Sequence, residues 1–407
     1  MKTKAKTARR FAAWFFGLIA LFTLLMTLAY CIPTERIEYR QDLSAYIVAA
    51  ERDAIWESNP FNVDASRQDY FTDALMLDRV LAQDAQASPL KQAMSMNDYG
   101  RYWHGYMAWL RPLLVLFSLW DIRYLYMCAF FLLTGLVMAL IGKRLPGVGC
   151  ALAFLASLVA CYIVIIPTSL QYCPVFLVML SAALVLLLRY DRLDESGLLL
   201  LFMVVGMVTN FVDLLTVPLL TLGIPLLLLL EMDMHRRGEE RVRMLLRRIV
   251  LCSLCWGMGY ALCWIAKWCL GSLIVGENVF SSAQDKATQW LGGTDTAPQG
   301  WRIDAIVNNV AVFFLPHGKR MAAWLLVPAA AYALCFACFR NPHWRRALAL
   351  LPVSLYPYVW YAVFSYHSFV HTWFTYRLQA ITLLGVLLFL IELVDWKQCA
   401  EAIRRRN

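Results

Sequence analysis

The chain alternates between apolar runs of about twenty residues and short charged links, almost from end to end. The first run, "FAAWFFGLIALFTLLMTLAYCI" (11–32), follows the basic start "MKTKAKTARR". It is long for a secretory signal, no small-x-small cleavage site closes it, and Tyr30 is too bulky before Cys31 for a lipoprotein signal. The run therefore reads as an uncleaved anchor. Further runs of spanning length lie at about 121–142, 147–166, 172–189, 196–211, 213–231, 249–272, 321–339, 346–365 and 375–394. The pattern predicts an all-α polytopic membrane protein with about ten transmembrane helices.

Two segments interrupt the rhythm. Residues 33–120 form a long polar-apolar mixture in which "LSAYIVAAERDAIWE" (43–57) and "DYFTDALMLDRVLAQ" (69–83) read as helices around the breaker-rich "SNPFNVDAS". Its last part, "YGRYWHGYMAWLRP" (99–112), sorts on a helical wheel into two faces. Tyr99, Tyr102, Trp103, Tyr106 and Trp109 share one arc, with Arg101, His104 and Arg111 opposite. That predicts an interfacial helix with its rings among headgroups and its charges toward water or protein. The second segment, 276–320, begins polar and Gly-rich and ends in "WRIDAIVNNVAVFFLPHGKR", a second interfacial helix. The expected organisation is a basic N-terminus and first span (1–32), a helical external loop (33–120) and a multi-span bundle (121–407).

Charge orients this scheme. With the N-terminus inside, the 2–10 run, 142–144, Arg189 and Arg192, 235–248, 340–346 and 404–406 are cytoplasmic. These segments hold more than half of the 37 Lys and Arg residues, as the positive-inside rule requires. Both termini are then cytoplasmic, and the membrane is the plasma membrane. The net charge of +9 reports orientation and contact with anionic lipid, which argues against nucleic acid as a partner. None of the twelve cysteines falls between residues 32 and 127, so the first loop is not held by disulfides. Cys252/Cys255 and Cys335/Cys338 sit in apolar runs without a second pair or a nearby His, and read as buried small residues rather than zinc ligands.

Carboxylates beside a membrane can act as bases or hold a divalent metal. Glu51-x-Asp53 and the pair Asp73 and Asp78 are candidates, although solvated helices are rich in such pairs. Asp73 is flanked by Phe71 and an apolar run; Asp213 lies in the turn of an otherwise apolar hairpin, where an acid is costly and either functional or a helix cap. Arg101, His104, Arg111, Lys319, Arg320 and Arg377 fall on the external side. They either snorkel to headgroups or converge on a phosphate. His367 and His371, spaced i, i+4, point to phosphate hydrogen bonding or a structural role ahead of metal. Lys267, late in the seventh span, either snorkels or faces the same cavity.

One span, a long external first loop with interfacial helices and a following many-span bundle resemble the GT-C superfamily of membrane glycosyltransferases. In that family an acidic D-x-D or E-x-D motif lies in the first loop; Glu51-x-Asp53 matches it here, about twenty residues after the first span. The resemblance implies transfer of a sugar from a polyprenyl-phosphate donor to a glycan or lipid acceptor. The base or metal ligand would come from Glu51, Asp53 and Asp73, and Arg101, His104, Arg111, Asp213, His367, His371 and Arg377 would line the substrate site. Whether a divalent cation such as Mg2+ or Mn2+ takes part stays open. The rival expectation is a transporter or flippase for a lipid-linked or amphiphilic substrate, which also uses Pro-broken helices and a central cavity. A non-catalytic scaffold is the third.

Overall fold

The computed structural model describes residues 2–53, 68–84, 86–96, 99–145, 148–238, 241–314 and 332–405, with the side chains of 2–4, 52–53 and 403 left aside. Lys319, Arg320, the link 58–66, the Asp53 side chain and most of the 321–339 run therefore lie outside the described residues. Among the described residues the regular structure is helical, and the sole β pairing is an isolated bridge between Arg340 and Val394.

Among the described residues six helical stretches are long and apolar enough to cross a membrane: Ala5–Tyr30, Leu119–Arg144, Tyr172–Arg192, Glu195–Val212, Val242–Val275 and Thr372–Leu393. The chain thus has the make-up of a multi-pass membrane protein. In order, the helices are α1 (Lys2–Tyr30), α2 (Glu38–Asp53), α3 (Tyr70–Leu81), α4 (Pro89–Ser95), α5 (Met107–Leu116), α6 (Leu119–Arg144) and α7 (Val148–Ala160). They continue with α8 (Tyr172–Arg189), α9 (Glu195–Val212), α10 (Leu220–Arg236), α11 (Val242–Val275), α12 (Val279–Gly292) and α13 (Trp301–Phe314). A short helical stretch at 332–338 precedes α14 (Leu350–Ser354), α15 (Tyr356–Val363), α16 (Ser365–Val370), α17 (Thr372–Thr375), α18 (Gln379–Leu393) and α19 (Trp396–Arg404).

Several expected spans are shorter or broken. The 147–166 run forms only the 13-residue α7, after which the chain runs irregularly to Gln171, with Pro167 in a 3-10 turn. The 213–231 run starts as a turn through Asp213–Leu219 and becomes helical at Leu220. The 346–365 run is a chain of short helices, interrupted around Pro352 and Pro357, which remove backbone donors. Among these elements α10 is central: Leu220 through Met234 are all buried, with an all-apolar run from Leu222 to Leu230 and the acids Glu231 and Asp233 at its end. It touches α8, α9, α11 and α18.

The charged links gather at one end of the bundle. Arg144 pairs with Asp191 at 2.7 Å, Arg247 with Glu195 at 2.7 Å, and Arg346 with Glu392 at 3.1 Å. This is the basic end. The opposite, loop end carries α3, α4, the 99–106 stretch, α12 and the 365–377 link.

The stretch 99–112 corrects its expectation. Residues 99–106 are not helical; the helix starts at Met107 and runs through Pro112 to Leu116. Tyr102, Trp103 and Tyr106 are buried inside the protein, and Tyr99 and Trp109 are half-buried. Trp103 packs against Phe22 and Phe211 and donates to the Cys263 carbonyl at 3.1 Å. Gly105 donates to the Phe211 carbonyl at 2.8 Å, and a Cβ there would lie 2.4 Å from that oxygen. His104 takes φ 53°, a left-handed conformation that ends helical geometry. The segment satisfies a terminal carbonyl of α9, a partner that a regular helix could not offer.

The tightest helix contact is between α9 and α11. A Cβ on Gly206 would sit 2.2 Å from the Trp256 carbonyl oxygen, and one on Gly259 would sit 2.2 Å from that of Met203. Small residues here let two backbones meet, which is how apolar helices gain contact without a hydrophobic drive between them. Gly206→Val is expected to lower the melting temperature in detergent sharply, at or above the roughly 3 kcal/mol upper end of ordinary overpacking. Gly257→Ala, on the same helix with nothing within 4 Å of the added methyl, should melt like the unaltered protein or slightly higher. Equal melting of both variants would contradict the close α9–α11 approach.

Candidate functional site at the loop end

The loop end encloses a cavity of about 570 Å³. Three otherwise separate segments wall it: the start of α3 from Gln68, the 99–106 stretch, and the 367–374 link, joined by α12. Its rings include Tyr70, Tyr99, Trp290 and Trp373. Aromatic faces beside hydrogen-bonding groups suit sugar rings and prenyl chains alike.

Asp69 is the only carboxylate among the described residues lining this cavity. It is the N-cap of α3: Oδ1 accepts from the Thr72 amide at 3.0 Å, Oδ2 from the Thr72 hydroxyl at 2.8 Å, and Trp373 Nε1 reaches Oδ2 at 3.4 Å. These bonds fix its direction while leaving lone pairs free. Two cations share the cavity. Arg79 stacks over Tyr99 with its guanidinium carbon 4.3 Å from the ring centre and donates to the Met96 carbonyl at 3.0 Å. Lys286 stands 4.0 Å over Trp290 and donates to Gln289 at 2.7 Å. Partial burial, with Arg101 nearby, lowers the Lys286 pKa. A phosphate would relieve both effects.

His367 and His371 lie side by side, ring centres 4.9 Å apart, each about 5 Å from Trp290. Burial pushes the His371 pKa down to about 4 and that of His367 well below its usual value, and burial does the same to His104. All three rings are therefore neutral at pH 7, and the Nδ1 of each has no protein partner. Neutral imidazoles serve hydroxyl groups better than they serve phosphate charge.

Other sequence candidates lie elsewhere. Asp73, one turn after Asp69, is fully buried and lines no part of the cavity. Its Oδ1 accepts from Ser169 Oγ at 3.1 Å and the Gln171 amide at 3.3 Å, and its Oδ2 from Gln68 at 3.4 Å. Burial raises its pKa to about 6 despite Arg123. Glu51 makes a buried ion pair with Arg123, at 2.7 and 2.8 Å. Arg123 also donates to the Thr168 carbonyl at 2.6 Å and stands 4.0 Å from Asp73. This triad is a foundation beneath the cavity, and it holds the irregular 161–171 stretch in place.

The expected converging cations also separate. Arg111 is buried and donates to the carbonyls of Ala29, Ile32 and Val80, tying the end of α1 to the end of α3. Arg377 is buried as well; it donates to the carbonyls of Cys161 at 3.1 Å and Trp373 at 2.8 Å, and lies 4.3 Å over Tyr172. Arginine meets several carbonyls at once with its five donors, so both stitch backbone rather than bind ligand. Lys267 does the same for α4, donating to the Met94 carbonyl at 2.8 Å. Asp213 accepts from the Thr216 amide at 2.8 Å and holds the turn behind the cavity residue Leu214. Arg101 stacks 3.9 Å over the other face of Tyr99 and lines a neighbouring polar cavity of about 560 Å³.

Asp69, Arg79, Lys286 and Trp290 were not singled out from sequence. The signal for Asp69 was its place before the apolar face of α3, a capping position; nothing local marks Arg79 or Lys286. Comparisons against protein-family models, curated proteins and solved structures found no match.

Proposed function

We propose that the protein is a membrane glycosyltransferase, moving a sugar from a polyprenyl-phosphate donor to a glycan or lipid acceptor in the loop-end cavity. The observation that carries this reading is one acid and two cations lining the same aromatic-walled cavity. In the proposed topology the chain crosses the plasma membrane about ten times, the loop end is external and both termini are cytoplasmic.

The roles follow from charge. As the bond between the sugar C1 and the phosphate oxygen breaks, its electron pair stays on that oxygen, where Arg79 and Lys286 meet the charge. The acceptor hydroxyl attacks C1 and gives its proton to Asp69. The neutral His104, His367 and His371 orient sugar hydroxyls, and Trp290 stacks a ring. Phosphate is a good leaving group, so this scheme asks mainly for positioning and one base.

The rival reading is a flippase for the same lipids, favoured by the broken helices between Trp344 and Leu378, a construction common at transporter sites. The test is the purified full chain in nanodiscs with a labelled polyprenyl-phosphate sugar and envelope acceptors, beside a vesicle flipping assay. Sugar transfer with release of polyprenyl phosphate is expected. Flipping without transfer would replace this reading by the transporter.

A further inference from the structure

Far from the cavity, at the basic end, ligand-type side chains converge between two helices. Glu231 and His235 stand one turn apart on α10, on the same face. Glu392 faces them from α18, and the ligand atoms of all three lie within 4.8 Å of one another. His235 Nε2 is 2.6 Å from one Glu392 oxygen and 3.4 Å from a Glu231 oxygen.

The charges are unevenly served. One oxygen of Glu392 faces His235, and the other pairs with Arg346 at 3.1 Å. Glu231 is fully buried, and neither of its oxygens has a hydrogen-bond partner. A single imidazole N–H directed at Glu392 cannot also satisfy Glu231. A buried carboxylate in that position is costly unless a cation completes it.

We infer that Glu231, His235 and Glu392 hold a divalent transition-metal ion, with water as the fourth ligand, that joins α10 and α18 at the basic end. The mixed oxygen and nitrogen donors select Zn2+ over Mg2+ or Ca2+, which take oxygen alone. A tetrahedral zinc with bonds of about 2.0–2.3 Å separates its ligand atoms by roughly 3.4 Å. The His235–Glu231 distance is already 3.4 Å, and the 2.6 Å contact to Glu392 opens by less than about 1 Å to admit the ion. His235 is partly exposed, which provides the way in. The site is independent of the chemistry proposed for the cavity.

The test uses the full chain in nanodiscs, stripped with a chelator and titrated with Zn2+, with bound metal measured by mass spectrometry and melting followed by tryptophan fluorescence. One Zn2+ per chain is expected, with a higher melting temperature on binding. Glu231→Gln and His235→Ala should each weaken binding by about 100-fold or more and remove the stabilisation. His235 is partly exposed, so its variant decides the matter if Glu231→Gln fails to fold. Absence of stoichiometric zinc in the unaltered protein, or unaltered affinity in His235→Ala, overturns the site.

Discussion

Asp69→Asn is expected to lower sugar transfer by at least about 100-fold while the protein folds normally and binds the lipid donor as before. The substitution isolates the proton-accepting role, because asparagine caps a helix as well as aspartate does. The Thr72 amide therefore keeps its acceptor, and the Thr72 hydroxyl, which can also accept, turns to meet the new amide N–H. What disappears is the capacity to take the acceptor's proton, an interaction used only in the transition state, so kcat should fall with KM little changed. Asp69→Ala should add a loss of about 1 kcal/mol in stability from the missing cap. Asp73→Asn makes the contrast: it touches no cavity surface and should alter melting far more than transfer. Full transfer by Asp69→Asn together with its loss in Asp73→Asn would return the base to Asp73.

The two aspartates show what the sequence could and could not reveal. Helix existence was legible from periodicity alone: 172–189 matches α8 residue for residue, 196–211 lies within α9, and 69–83 contains α3. Asp73 attracted notice because apolar residues surround it, but that setting is also what buries a side chain under a helix. Asp69 sits one turn earlier on the same face, where the helix begins and the cavity opens. Whether an acid reaches a cavity or a core depends on what packs above it, here the 165–171 stretch and Trp373 from far along the chain. The same limit explains Arg111 and Arg377. An arginine next to a membrane looks identical in sequence whether it reaches a phosphate or the open carbonyls of a neighbouring helix end. The 99–112 stretch failed for a related reason: its rings fit one helical arc, but the partners that hold it, the Phe211 carbonyl for the Gly105 amide and the Cys263 carbonyl for the Trp103 ring, are distant in sequence.

Arg123→Met is expected to cost more stability than loss of any exposed charge, and the cost should shrink on acidification. Arg123 is buried at the start of α6, with Glu51, the Thr168 carbonyl and Asp73 around it. Methionine fills much of the same volume but leaves two buried carboxylates unpaired, a change worth about 3–5 kcal/mol when one partner of a buried pair is removed. The sign of the pH effect follows from Asp73. Its folded pKa of about 6 lies above the value of about 3.9 expected in an unfolded chain, so ionisation destabilises the folded state as pH rises between the two. Arg123 is the strongest influence holding that pKa down. Without it the folded pKa climbs further, and the destabilising window extends upward past pH 6. Melting in nanodiscs should therefore show a large deficit at pH 8 and a smaller one at pH 5. A second change, Glu51→Gln, should return part of the loss at pH 8 by removing the other stranded charge. An equal deficit at both pH values would mean that Arg123 acts by packing alone. Because Gln68 bonds both Thr168 and Asp73 directly before Asp69, loosening this triad should also slow transfer without touching a cavity residue.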